Sequence, residues 1–409
     1  MKQKILYTAR ANFESARYLA QYPPQHKFHR VHGHSFFARL RTDYTDYADS
    51  LNECLTDQLE AQLRQCVEPL DYDLLNEHVY NPSDENLALW IRDRLEIPQF
   101  DLVGVQSTHH QGTDLDNHGN AHIWRRYRFE AAHQLPNVPE GHPCGRMHGH
   151  GFEVILHAER KAFHQEQGSE LEYEILDQLW EPIFQQLDHA CLNDIPGLEN
   201  PTSEALCNWL WQQLKQELPS LSWVTVYETV SAGCHYDGEH YRIWKEQRFE
   251  SALRLNRAPS PDPRSRLHGH SYLVRLHLTA PLDPVMCWTV DYGDVKQLFK
   301  PVYEQLDHHL LNDLPNLEDT DAASLAQWIQ RQMTPLLPQL DRHSKPTVAH
   351  RRPGLFRQLP QRNVAAGGLC RHFNLPGSTT SDFVRLPVQK NKDRAVYLGA
   401  TDRLFSQNF

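Results

Sequence analysis

RRYRFEAAHQLPNVPEGHPCGRMHGHGFEVILHAE, residues 125–159, is the stretch on which the fold turns. Its first eleven residues alternate apolar and polar side chains, the period-two pattern of a half-buried strand, and MHGHGFEVILHAE does the same. Alternate side chains on a strand share a face, about 6.5–7 Å apart. His148 and His150 therefore point the same way, as do Phe129, Ala131 and His133 on the preceding strand. If these two strands pair, three imidazoles converge. Three nitrogen ligands with a fourth position open is the arrangement of catalytic zinc. A lone His-x-His on a strand reads as a polar face; a third histidine on a neighbouring strand favours the metal.

The same stretch recurs. His-Gly-His stands at 32–34, 148–150 and 268–270, spaced by 116 and 120 residues. Each copy is preceded by Phe-Glu-x-Ala, at Phe13, Phe129 and Phe249, and followed by Leu-Asp-x-x-x-Leu-Asn, at Leu70, Leu187 and Leu306. Three markers in one order predict three homologous domains: 1–122, 123–242 and 243–344. The period is too long for a solenoid and fits fused whole domains. In the middle copy, Ile175, Leu176, Leu179, Trp180, Ile183, Phe184 and Leu187 recur at helical spacing. A second helix is expected from Ser203 to Leu218, capped by Thr202 or Ser203. WVTVYET and HYRIWKE then return to strand. The order β-β-α-α-β-β predicts an α+β fold, a four-stranded antiparallel sheet with two helices on one face. After Leu340 the third copy lacks a recognisable continuation. Residues 345–409 carry a net charge of +8 against −11 for the whole chain, and read as a basic tail with no assigned fold.

Composition narrows the classes. The 409 residues are 40% hydrophobic and 23% charged, as in an ordinary globular protein. The net charge of −11 disfavours nucleic acid as a partner. No apolar run approaches the ~18 residues of a membrane span, and the N-terminus has no apolar signal region. Eight cysteines without a C-x-x-C pair read as reduced thiols of a cytoplasmic protein. The 26 histidines stand out, since imidazole is the commonest metal ligand.

Other residues of the middle copy carry chemistry. Cys144, four residues before His148, is a loop thiol that a nearby cation could activate as base or nucleophile; a buried inert cysteine is the alternative. Asp188-His189 closes a helix, where a carboxylate can orient an imidazole for acid–base work or serve as a cap. Glu228, on a late strand, offers a carboxylate that suits the amino-pyrimidinone edge of a pterin or guanine.

Taken together, FEAAHQLPNVPEGHPCGRMHGH, LDHACLNDIPGLENPTSE and VYETVSAGC resemble 6-carboxy-5,6,7,8-tetrahydropterin synthases, the queuosine-pathway branch of the 6-pyruvoyl-tetrahydropterin synthase family. The resemblance implies three tandem tunnelling-fold (T-fold) domains. It implies zinc on His133, His148 and His150, Cys144 as catalytic base, an Asp-His proton relay at Asp188 and His189, and Glu228 as pterin anchor. The implied reaction takes 7,8-dihydroneopterin triphosphate to 6-carboxytetrahydropterin, acetaldehyde and triphosphate. The three residues between Cys144 and His148 resemble the 6-carboxy branch; 6-pyruvoyl enzymes usually have five. A 6-pyruvoyl-type enzyme and a nonenzymatic pterin-binding scaffold are the alternatives. Family members form stacked trimeric rings, so one chain is expected to form a pseudo-trimer and a homodimer a pseudo-hexamer. In such rings a neighbour supplies the Asp-His pair, which would make Asp307 and His308 the partners of Cys144. The outer copies replace the first zinc histidine by Arg17 and Leu253, and the cysteine by Phe28 and Arg264. They are expected to be catalytically dead.

Overall fold

The computed structural model describes residues 5–43, 52–97, 100–160, 173–258, 261–317, 319–340 and 347–350. The first copy consists of strands β1 (Leu6–Arg17) and β2 (His32–Asp43), helices α1 (Asn52–Val67) and α2 (Asp84–Arg92), and strands β3 (Leu102–Thr108) and β4 (Gln111–Asp116). The second repeats this order with β5 (Ala121–His133), β6 (His148–Arg160), α3 (Tyr173–Leu187), the two-residue β7 (Ala190–Cys191), α4 (Ser203–Leu214), β8 (Leu221–Thr229) and β9 (Ala232–Tyr236). The third has β10 (Tyr241–Leu253), β11 (His268–Thr279), α5 (Tyr292–Leu306), β12 (His309–Leu310), α6 (Ala322–Met333) and β13 (Thr347–His350). This is the α+β T-fold in three tandem copies.

The copies share one sheet. Its order runs β1-β2-β3-β4-β5-β6-β8-β9-β10-β11-β13, with β7 and β12 added beside β5 and β10. The last strand of one copy pairs with the first of the next: β4 with β5 and β9 with β10, both antiparallel. The sheet curls round, so that Arg264 of the third copy meets Asp57 of the first at 3.0 Å. The helices cover one face. Beneath them, residues such as Phe129, Phe152, Leu176 and Leu206 join Phe249, Tyr272 and Trp328 in a core that runs through copies two and three. The first copy has its own core around Phe13, Phe36 and Leu63. The opposite face buries Trp124, Ile155, Tyr227 and Trp244 among ion pairs such as Arg126–Glu153 and Arg275–Glu246.

Two details differ from the sequence reading. HYRIWKE is not the fourth strand of the middle copy; that strand is β9, and 241–246 opens β10. A turn at Asp237–His240, with Gly238 at φ 101°, separates the two. Ile243 and Phe249 both face the core, so one alternation runs unbroken through β10. The third copy also keeps a third strand, because Thr347–His350, read as part of the tail, pairs antiparallel with Tyr272–Arg275. The rest of the tail, 351–409, lies outside the described residues.

Candidate active site

The β5–β6 ladder sets the histidines. His133 lies opposite His148, and Ala131 opposite His150, so all three imidazoles share the face that also carries Phe129 and Phe152. His133 is fully buried, and its Nδ1 lies 3.2 Å from the carbonyl of Pro201. His148 Nδ1 bonds the carbonyl of Arg146 at 2.8 Å. These contacts aim both Nε2 atoms inward, the outer-shell arrangement that fixes metal-ligating imidazoles. His133 Nε2 lies 3.2 Å from His150 Nε2, and one nitrogen from each ring falls within 4.8 Å of the other two. Two ligands at ~2.1 Å from a tetrahedral ion stand roughly 3.4 Å apart, so this spacing fits zinc. Burial, then the charge of His148, lowers His133 to about 4, and burial lowers His150. Both rings are therefore neutral and able to ligate at neutral pH. Of the three His-Gly-His motifs, the middle one alone forms a three-ligand cluster among the described residues.

Cys144 sits in a short 3-10 turn, Pro143–Gly145. His142 Nδ1 accepts its N–H, and its carbonyl accepts the N–H of Leu135, two residues beyond His133. The other ring nitrogen of His142 pairs with Asp291 of the third copy at 2.9 Å. Burial pushes the Cys144 thiol up, with Glu228 and Asp291 adding to it. Glu228 is itself raised to about 7 by burial and by Glu204, opposed by Lys245.

Glu204 was not singled out in the sequence. It is buried in the first turn of α4, where it accepts the N–H and hydroxyl of Thr289 at 2.7 and 3.0 Å and the hydroxyl of Ser203 at 3.0 Å. A glutamate in PTSEA reads as a favourable charge at a helix N-terminus, so only the neighbouring copy reveals its second setting. Residues 285–292 of the third copy complete this wall. Val285, Met286 and Cys287 accept from Asn137, Asn200 and Thr202 through their carbonyls, and Tyr292 hydroxyl lies 2.8 Å from Ser203 Oγ. The His triad, Cys144, Glu228 and Glu204 thus belong to the middle copy, at its junction with the third.

The two Asp-His pairs are built alike. Asp188 Oδ1 accepts the N–H of Glu130 at 3.0 Å, and Oδ2 lies 2.7 Å from His189 Nδ1. Asp307 does the same with Glu250 and His308, at 2.9 Å in both contacts. His189 and His308 adopt φ of 57° and 58°, a left-handed conformation uncommon outside glycine, and Tyr72 of the first copy matches them at 59°. Neither pair makes a hydrogen bond or ion pair with Cys144 among the described residues. It is the N-terminal end of α5 that approaches the Cys144 turn. Asp307–His308 lies beyond the other end of its 15 residues, roughly 22 Å along the axis.

In the first copy, Arg17 occupies the position of His133. Its Nη1 bonds the carbonyl of Pro82 at 2.8 Å and Asp84 Oδ1 at 2.7 Å. Asp84 also accepts from Ser107, the counterpart of Glu228, and from Tyr173. A closed, buried ion-pair network fills the place of the imidazole cage. In the third copy Leu253 offers no ligand, and Arg264 is committed to Asp262 and Asp57. The ladder places His350 at the register of Glu228.

A 6-carboxy-5,6,7,8-tetrahydropterin synthase from Synechocystis sp. is 40% identical over 119 residues, 28% of this chain and 91% of that protein. A dihydroneopterin monophosphate aldolase from Pyrococcus furiosus is 31% identical over 101 residues, 24% of this chain and 79% of that one. The solved structure of Caenorhabditis elegans 6-pyruvoyl tetrahydropterin synthase matches 29% of this chain and 96% of its own, with 20% identity and a TM-score of 0.27. The family model described as 6-pyruvoyl tetrahydropterin synthase matches residues 7–108, 122–239 and 242–351. With most of its length matched in three successive segments, the chain belongs to the 6-pyruvoyl tetrahydropterin synthase family.

Proposed function

We propose that the chain converts 7,8-dihydroneopterin triphosphate and water to 6-carboxy-5,6,7,8-tetrahydropterin, acetaldehyde and triphosphate, at one zinc-bearing active site per chain in the middle copy. The observation that carries this reading is the convergence of three imidazoles in that copy alone among the described residues, together with Cys144 and the pair of half-buried Glu228 and buried Glu204. The name of the Synechocystis relative and the three-residue spacing from Cys144 to His148 support the 6-carboxy branch. The product would enter queuosine synthesis.

His133, His148 and His150 would hold the zinc, which when bound polarises substrate hydroxyls and lowers their pKa. Glu228 accepts N–H groups of the pterin ring beside buried Glu204, and Lys245 balances the charge of Glu228. Cys144 removes a side-chain proton as thiolate. Because its thiol is raised, the rate should climb with pH from neutral into the mildly alkaline range. An Asp-His pair then carries protons, its imidazole oriented through Nδ1. Turnover of His189→Ala and His308→Ala, measured side by side, assigns which pair serves Cys144: loss only in His308→Ala supports the third copy as donor, and loss only in His189→Ala overturns it.

Residues preceding each His-Gly-His, Val31, Met147 and Leu267, are 65%, 53% and 67% exposed. This threefold set of apolar side chains supports stacking of two chains into a pseudo-hexamer, and a monomer by light scattering would contradict it. No helix among the described residues is long and apolar enough to cross a membrane. Six free cysteines among those residues support a reducing, cytoplasmic setting. The test of the activity is product identity by mass spectrometry. 6-Carboxytetrahydropterin with acetaldehyde is expected; 6-pyruvoyltetrahydropterin, or pterin binding without turnover, would overturn the assignment.

A further inference from the structure

A second convergence of metal-ligating atoms lies at the opposite end of the β5–β6 hairpin. Asp116 ends β4, His122 is the second residue of β5, and Glu159 is next to last in β6. One ligand atom from each falls within 4.8 Å of the other two. The register accounts for this. His122 and Glu159 are directly opposite partners, so their side chains share a face. The β4–β5 turn brings Asp116 Oδ2 to 3.3 Å from His122 Nε2.

A hydrogen-bonded turn explains part of the cluster. Asp116 accepts the N–H groups of His118 and Asn120 and the side-chain amide of Asn120, at 2.8, 2.8 and 2.9 Å. It does not explain Glu159, which is half-buried and whose carboxylate has no hydrogen-bond or ion-pair partner among the described residues. Nor does it account for His122, which is 9% exposed and turns its Nε2 toward Asp116. Two carboxylates and an imidazole thus face one another, and no lysine or arginine pairs with either carboxylate among the described residues. The 3.3 Å spacing of Asp116 and His122 is close to the 3.2 Å of His133 and His150, and both fit ligands about one ion. Among the described residues the feature belongs to one junction only. The equivalent opposed pairs are Leu6–Asp43 in the first copy and Arg242–Thr279 in the third. Neither offers an imidazole, and Arg242 would repel a cation.

We propose that Asp116, His122 and Glu159 bind a second divalent transition metal, of the zinc class, which ties the last strand of the first copy to the first two strands of the second. One imidazole nitrogen with two carboxylate oxygens suits such an ion better than magnesium. The site is independent of the assignment of the middle triad. Its test uses the full chain, stripped with chelator and titrated with zinc, with bound metal read by elemental analysis and calorimetry. His148→Ala, which breaks the middle triad, should retain one zinc per chain, and that zinc should raise its melting temperature. Adding Glu159→Gln, a substitution of equal size at a half-buried position, should abolish both effects, while Glu159→Gln alone should lower the total from two zinc ions to one. Asp116→Asn gives a second route should Glu159→Gln fail to fold. A His148→Ala chain that binds no zinc at micromolar concentration, or whose zinc survives both Glu159→Gln and Asp116→Asn, would overturn the proposal.

Discussion

Glu228 is a residue of the candidate site whose setting alters its chemistry. Raised to about 7 by burial and by Glu204, it binds a proton more tightly in the folded chain than in the unfolded one. Between its ordinary value of 4.5 and about 7, the unfolded chain releases this proton first, so stability falls as pH rises. Glu228→Gln removes that dependence. Its melting temperature relative to the parent chain should increase as pH is raised from about 5 to about 8, even as pterin turnover is lost; a constant difference across that range would contradict the raised value. At this scale the sequence is unevenly legible. His133, His148 and His150 can be read because a strand's period of two and a single ladder decide where they point. Glu204 and Asp291 cannot, because their setting arises from a neighbouring copy more than eighty residues away.

At the scale of elements, helices and strands follow local rules that the sequence carries openly. Thr202 caps α4 by accepting the N–H of Ala205 at 3.1 Å, as its place before the apolar run implies, although α4 ends at Leu214, earlier than the spacing predicts. Asp321 caps α6 in the same way, accepting from Ala323 and Ser324. Asp321→Ala lies in the third copy, away from the His triad. It should cost about 1 kcal/mol of unfolding free energy, measured by urea denaturation, and should leave turnover unchanged. A loss of activity without a loss of stability would contradict a purely capping role. The identity of the fourth strand was less legible. AGCHY is short and holds a glycine, whereas HYRIWKE has the stronger strand pattern, and only the pairing of β9 with β8 and β10 separates them.

For the whole molecule, tandem repetition was legible from three markers in one order, and the joining of all three copies into one sheet was not. Pairing β4 with β5 and β9 with β10 holds the three copies in one chain at a fixed effective concentration. Within that frame the copies have diverged: one keeps an imidazole cage, one has sealed the same place with Arg17 and Asp84, and one has turned Arg264 toward Asp57 of the first copy. The central claim is a single live site in the middle copy. It is tested most directly by turnover of 7,8-dihydroneopterin triphosphate in three single variants of the full chain, His32→Ala, His148→Ala and His268→Ala. The account predicts that His148→Ala falls to background while the other two retain most of the parent rate; activity that survives His148→Ala, or that is lost equally in all three, would contradict it.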